Sequence, residues 1–159
     1  MLFRSGDYAF NYNNCTSITI PEGVVSVGGY AFHSLTLKKI VVPASVTNIG
    51  QQAFYMENGG IAYVYKGSCA EAYAKDDDDL KYKIIGQSGN KSKYVWVYFS
   101  ANDKNEMVYI SSRVYTVGST YGDIPNVTTY EIGKKFVGWY TKPTGGTKIN
   151  SDTVVKNNK

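Results

Sequence analysis

The amino-acid sequence predicts a mostly β fold with one short helix, built as the end of a solenoid joined to a small second β domain. Three observations carry this prediction: a 22-residue internal repeat, a composition rich in strand and turn formers, and a polar break after which the charge changes sign. The 159 residues include 15 Tyr and 16 Gly but four Pro and one His, a balance that favours strands and turns over helical bundles. With 43% apolar and 19% charged residues the chain lies in the globular range, far from compositions that stay disordered.

The repeat sets residues 18–32 above residues 40–54. Identities fall on Pro21/Pro43, Val24/Val46, Gly28/Gly50, Ala31/Ala53 and Phe32/Phe54, with conservative pairs at Ile18/Ile40, Ile20/Val42 and Val27/Ile49. A period in the twenties is the mark of a leucine-rich-type solenoid. Ile18 and Ile20 alternate inward on a short strand, and Pro21 ends that strand without needing a ladder hydrogen bond. Val24, Val27, Ala31 and Phe32 fill the rest of the coil. The same offset places Gly6-Asp7-Tyr8-Ala9-Phe10 on residues 28–32, so the chain opens halfway through a repeat and is expected to be a fragment. In the run Ile61 to Tyr65, either Ala62 and Val64 or Ile61, Tyr63 and Tyr65 point inward. Ser68 with Glu71 forms a capping box that opens a short helix, supported by Ala70, Ala72 and Ala74, which would plug the solenoid's end. Leu80, Tyr82 and Ile84 alternate with Lys81 and Lys83 as a final half-buried strand.

Residues 6–85 resemble the BspA-like leucine-rich repeat family, carried by Ile20-Pro21 to Ala31-Phe32, Val42-Pro43 to Ala53-Phe54, and a closing segment Tyr65 to Lys75. The resemblance implies a repeat solenoid on a bacterial surface protein. Its outward strand positions, Ser17, Thr19, Lys39 and Val41, are the expected partner-binding residues.

Residues 1–86 carry seven Lys/Arg and eight Asp/Glu, net −1, whereas residues 87–159 carry ten and five, net +5. Residues 87–93 are polar and read as a linker, which divides the chain into 1–86 and 94–159. In the second part Tyr94–Phe99, Met107–Ile110, Arg113–Val117, Lys135–Tyr140 and Thr147–Ile149 read as strands, and Pro143-Thr144-Gly145-Gly146 as a hairpin turn. This part resembles the Listeria-Bacteroides repeat, the internalin B-repeat-like module. The carrying residues are Val97, Phe99, Ala101 and Asn102, then Gly118 to Gly122 with Pro125, then Phe136 to Thr141 with Gly145-Gly146-Thr147. The resemblance implies a small β-grasp-like fold used in stalks or adhesive arrays. Asp103-Lys104 replace the family's usual Gly-Gly, and its last strand is expected to be missing after Val155.

The residues that could carry chemistry are few. A catalytic histidine could only be His33, and with no second His or reactive Cys at suitable spacing it reads as an ordinary loop residue, so no catalytic residue and no enzyme activity are expected. Asp76 to Asp79 lack the Gly turn and alternating spacing of a calcium loop, so no metal is assigned. Cys15 matches Leu37 at the repeat offset and is expected in the core, while Cys69 lies in the capping helix. Their separation of about two and a half coils, roughly 12 Å, argues against a disulfide. No phosphate-binding loop supports a nucleotide, and no cofactor is expected. Asn14-Cys15-Thr16, Asn90-Lys91-Ser92 and Asn126-Val127-Thr128 are glycosylation sequons, which have meaning only in a eukaryotic secretory route. The basic residues are scattered singly apart from Lys134-Lys135, which argues against nucleic acid. No run approaches the roughly 20 apolar residues of a membrane span. The expected function is non-catalytic binding or adhesion to a host or cell-wall protein or glycan, outside the cell, with a structural spacer as the alternative. The export signal and anchor are expected outside this chain.

Overall fold

The computed structural model describes residues 3–89, 92–103, 106–122, 124, 125, 127 and 136–157. Each coil lays down two short parallel strands. The first sheet takes β1 (Phe3–Arg4), β3 (Val24–Val27) and β5 (Asn48–Gly50). The second takes β2 (Ser17–Thr19), β4 (Lys39–Val41), β6 (Ile61–Lys66) and β7 (Lys81–Gln87). The register reproduces the repeat: Ile18 lies beside Ile40, Ile40 beside Ala62, and Val27 beside Ile49, each one period of 22 residues on.

A third ladder runs through the Gly-x-x-Ala-Phe turns, where Tyr8, Phe10 and Tyr12 donate their amides to Gly29, Ala31 and His33. Tyr30, Phe32 and Ser34 repeat the pattern onto Gln51, Ala53 and Tyr55. Residues in the left-handed region recur in these turns, Tyr8 and Tyr12 in the first, Tyr30 in the next and Gln52 in the third, at φ 60°, 51°, 54° and 46°. Aromatic rings of successive turns stack along the solenoid axis: Tyr8 on Tyr30 at 5.1 Å, and Phe10 on Phe32 on Phe54 at 5.2 and 6.2 Å. The interior is apolar, from Ile20, Val27 and Leu37 to Ile40, Val42, Val46 and Ile49, with one buried polar rung where Ser26 Oγ donates to Asn48 Oδ1 at 2.5 Å. The open choice at Ile61 to Tyr65 is resolved, because Ala62 and Val64 are buried and Ile61, Tyr63 and Tyr65 face outward.

Helix α1 (Cys69–Lys75) closes the stack. Ser68 Oγ accepts from the Glu71 amide at 3.1 Å, Glu71 Oε2 accepts from the Gly67 amide at 2.5 Å, and Lys75 Nζ reaches Glu71 at 2.9 Å. Burial works against the Glu71 carboxylate, yet the Gly67 amide and Lys75 outweigh it and hold its pKa below the ordinary value. Tyr73 lies edge-on to Phe54 at 5.5 Å, and its hydroxyl accepts from the Ala53 amide at 3.1 Å. The line of aromatic contacts therefore passes into the helix and continues from Tyr73 to Trp96 at 5.8 Å.

The second part is joined to the solenoid. Strands β8 (Tyr94–Asp103) and β9 (Glu106–Thr116) form a long antiparallel hairpin, and β9 pairs antiparallel with β5. The first sheet thus runs β1-β3-β5-β9-β8 without a break. Val114 lies in the solenoid core with Tyr94 and Trp96 packed against it. Arg113 Nη2 reaches Asp7 Oδ1 at 2.5 Å, and the same oxygen accepts from the Gly29 amide at 2.6 Å. The solenoid and the hairpin therefore share one sheet on either side of the change in composition. The two strands read at Met107–Ile110 and Arg113–Val117 are one, because Ser111 and Ser112 keep the extended pairing opposite Phe99 and Tyr98 rather than turning.

Beyond the hairpin, β10 (Trp139–Tyr140) pairs antiparallel with β11 (Lys148–Ile149) across the Pro143–Gly146 turn. Of the strand read at Lys135–Tyr140, only Trp139 and Tyr140 are in β10, and residue 135 lies outside the described residues. The same holds for Lys104, Lys134 and Asn126. A second core gathers Phe99, Tyr115, Trp139, Ile149 and Val155, and Trp139 Nε1 donates to the Pro125 carbonyl at 2.8 Å.

Candidate partner-binding face

The second sheet buries one face in the solenoid and turns the other to solvent. Period-2 alternation explains why: with Ile18, Ile40, Ala62 and Val64 inward, the residues between them must point out. The structure places Ser17, Thr19, Lys39 and Val41 together on this outer face, the first three exposed and Val41 half-buried. The cross-strand pairs continue it, Lys39 beside Ile61 beside Lys81, and Val41 beside Tyr63 beside Lys83. Lys39 Nζ lies 5.1 Å from the centre of the Tyr63 ring, a cation–π contact. The Tyr65 ring covers Gly86 so closely that an added Cβ there would lie 3.0 Å from it.

Sequence reasoning missed Ile61, Tyr63, Tyr65, Lys81 and Lys83 as members of the face. Their alternation was visible, but the strand carrying three of them is apolar on both sides, so its pattern alone did not choose an inward set.

The other candidate residues are not brought together. His33 sits on the turn ladder, 4.8 Å from Tyr55 and 5.1 Å from Tyr12. Asp76 caps the helix C-terminus and accepts from Trp96 Nε1 at 2.7 Å, while Asp77 Oδ1 accepts from the Asp79 amide at 3.2 Å. Among the described residues no group of three or more His, Cys, Asp or Glu is placed to hold a metal ion.

The expectation for Cys15 is corrected: it is exposed, whereas its repeat partner Leu37 is fully buried. Leu37 has a coil on either side, and Cys15 lies in the outermost described coil with a neighbour on one side alone. Cys69 is buried, and burial pushes its thiol pKa upward. Tyr94, whose hydroxyl donates to the Gly67 carbonyl at 2.7 Å, is pushed up to about 12, chiefly by burial. In the folded protein one thiol should therefore react at once with a maleimide and the second only after denaturation. Mass spectrometry checks this, and rapid modification of Cys69 would contradict the packing.

No helix among the described residues is long and apolar enough to cross a membrane. No curated protein and no solved structure matches this chain. A family model does match, described as BspA type leucine rich repeat region (6 copies), over residues 4–64, which hold fewer than three of the 22-residue coils. Repeats of this type are typical of surface or secreted bacterial proteins. The match runs from the end of β1 to Val64 in β6, and residues 4–64 are accordingly similar to a BspA-type leucine-rich repeat region.

Proposed function

We propose that this chain is a non-catalytic binding or adhesion part of a bacterial cell-surface protein, acting outside the cell on a protein or glycan partner through the outer face of β2-β4-β6-β7. The observation that carries the reading is that face itself: a continuous solvent-turned surface on which Thr19, Lys39 and Val41 stand beside Tyr63 and Lys83, held flat by a solenoid that fixes their spacing. In this reading residues 94–159 are a Listeria-Bacteroides module with a β-grasp-like fold. The pairing of Trp139–Tyr140 with Lys148–Ile149 across a Gly-containing turn supports that assignment. A structural spacer is the second reading, favoured by the unbroken sheet that ties the solenoid to the hairpin as one stiff body.

Thr19→Ala, Lys39→Ala and Val41→Ala combined should cost little stability, each within about 1 kcal/mol at an outward strand position. A binder through this face loses adhesion to host matrix or cell wall while keeping its melting temperature. Adhesion carried by the +5 part instead survives the triple variant and falls with added salt, since exposed charges are screened over about 10 Å at 0.1 M. Absence of any adhesion in this chain, with adhesion present in a longer form of the protein, would establish the spacer.

A further inference from the structure

We infer that the outer face takes an anionic polysaccharide, an inference that rests on the binding reading above and names its partner class. Cross-strand register sets the lysines around an apolar and aromatic centre. Lys39 flanks it on β4, Lys81 and Lys83 flank it on β7, and Ile61, Tyr63 and Tyr65 occupy β6 between them. At sheet spacing the two lysine borders stand about 10 Å apart, with Lys81 and Lys83 about 7 Å apart along their strand. None of the outward positions on the four strands carries a carboxylate, so nothing on the face neutralises these charges.

Lysines on β7 also guard an open sheet edge against pairing with another chain. That role does not extend to Lys39, which lies on an interior strand with β2 and β6 on either side. Half-buried tyrosine rings on the sheet's outer face offer an apolar body and a polar tip to a ring of similar size, and lysines beside them attract charge. A polymer of charged sugars supplies both, an apolar face for the Tyr65 ring and the free side of Tyr63, and an anion for the borders. A polypeptide of acidic residues supplies the charge alone.

Binding of the whole chain to dextran sulfate, polygalacturonate, uncharged dextran and poly-glutamate, measured at low and at raised salt, tests this. The first two report sulfate against carboxylate as the source of charge. Expected is binding to one or both anionic polysaccharides at least about tenfold tighter than to dextran or poly-glutamate, weakening with salt. Lys39→Gln, Lys81→Gln and Lys83→Gln together should lower it at least about tenfold, and Tyr63→Ala should lower it further. Lys93→Gln, Lys142→Gln and Lys156→Gln, which remove the same charge elsewhere, should leave it unchanged. Equal binding to dextran, tighter binding to poly-glutamate, or an equal loss in the second triple variant overturns the inference. The comparison among polymers uses the unaltered protein, so it decides the matter even if a variant fails to fold. Adhesion to matrix or cell wall that disappears in the first triple variant, with no polysaccharide bound, overturns the polysaccharide but leaves the binding face. Adhesion untouched by that variant overturns both.

Discussion

Phe54→Ala is expected to destabilise the protein by about 3–5 kcal/mol, a large share of what a domain of this size commands. The side chain is 1% exposed and sits between Phe32 at 6.2 Å and Tyr73 at 5.5 Å, so its removal opens a cavity lined by two rings that cannot follow it. The turn ladder fixes the Phe32 layer and the Ala53 amide holds the Tyr73 hydroxyl, which resists collapse into the void. The matched comparison is Phe10→Ala, the same motif position two coils earlier, where the ring is 53% exposed and the loss should stay near or below about 1 kcal/mol. Urea denaturation of both variants measures the difference. Equal losses would mean that the stack is not the interior of the solenoid.

Gly50→Ala should cost about 3 kcal/mol or prevent folding, for a reason that no propensity scale contains. A Cβ on Gly50 would lie 2.3 Å from the Gly29 nitrogen and 2.6 Å from its Cα, and one on Gly28 would lie 2.2 Å from the Gly6 carbonyl oxygen. These contacts are with backbone held in the ladder, so relief requires whole coils to part. Gly6 occupies the same place in the repeat, yet a Cβ there meets nothing within 4 Å. Gly6→Ala should therefore be neutral within about 0.5 kcal/mol. Thermal melts of the two alanine variants check the ranking. A neutral Gly50→Ala would contradict the close approach of successive coils.

Much of the solenoid is determined by sequence alone. The 22-residue offset gives strand register directly for the first two coils, since Ile18 and Ile40 must align for their neighbours to share one interior. Ser68 and Glu71 mark the closing helix by local hydrogen-bonding chemistry. These features are legible because each depends on residues close in sequence or on a pattern that repeats. Four of the nine residues named on the candidate face, Ser17, Thr19, Lys39 and Val41, follow from the same periodicity.

Tertiary structure decided the rest. Strand β6 has apolar residues at both parities, and only packing against α1 and the neighbouring coil turns Ala62 and Val64 inward, which places Tyr63 and Tyr65 outside. The pairing of β9 with β5 joins residues some 65 apart through one sheet edge, and no local pattern in either strand specifies the other. The contrast between Gly6 and Gly50, Phe10 and Phe54, or Cys15 and Leu37 has one origin. A repeat motif records what a coil needs when neighbours lie on both sides, and only the assembled stack determines which copies have them.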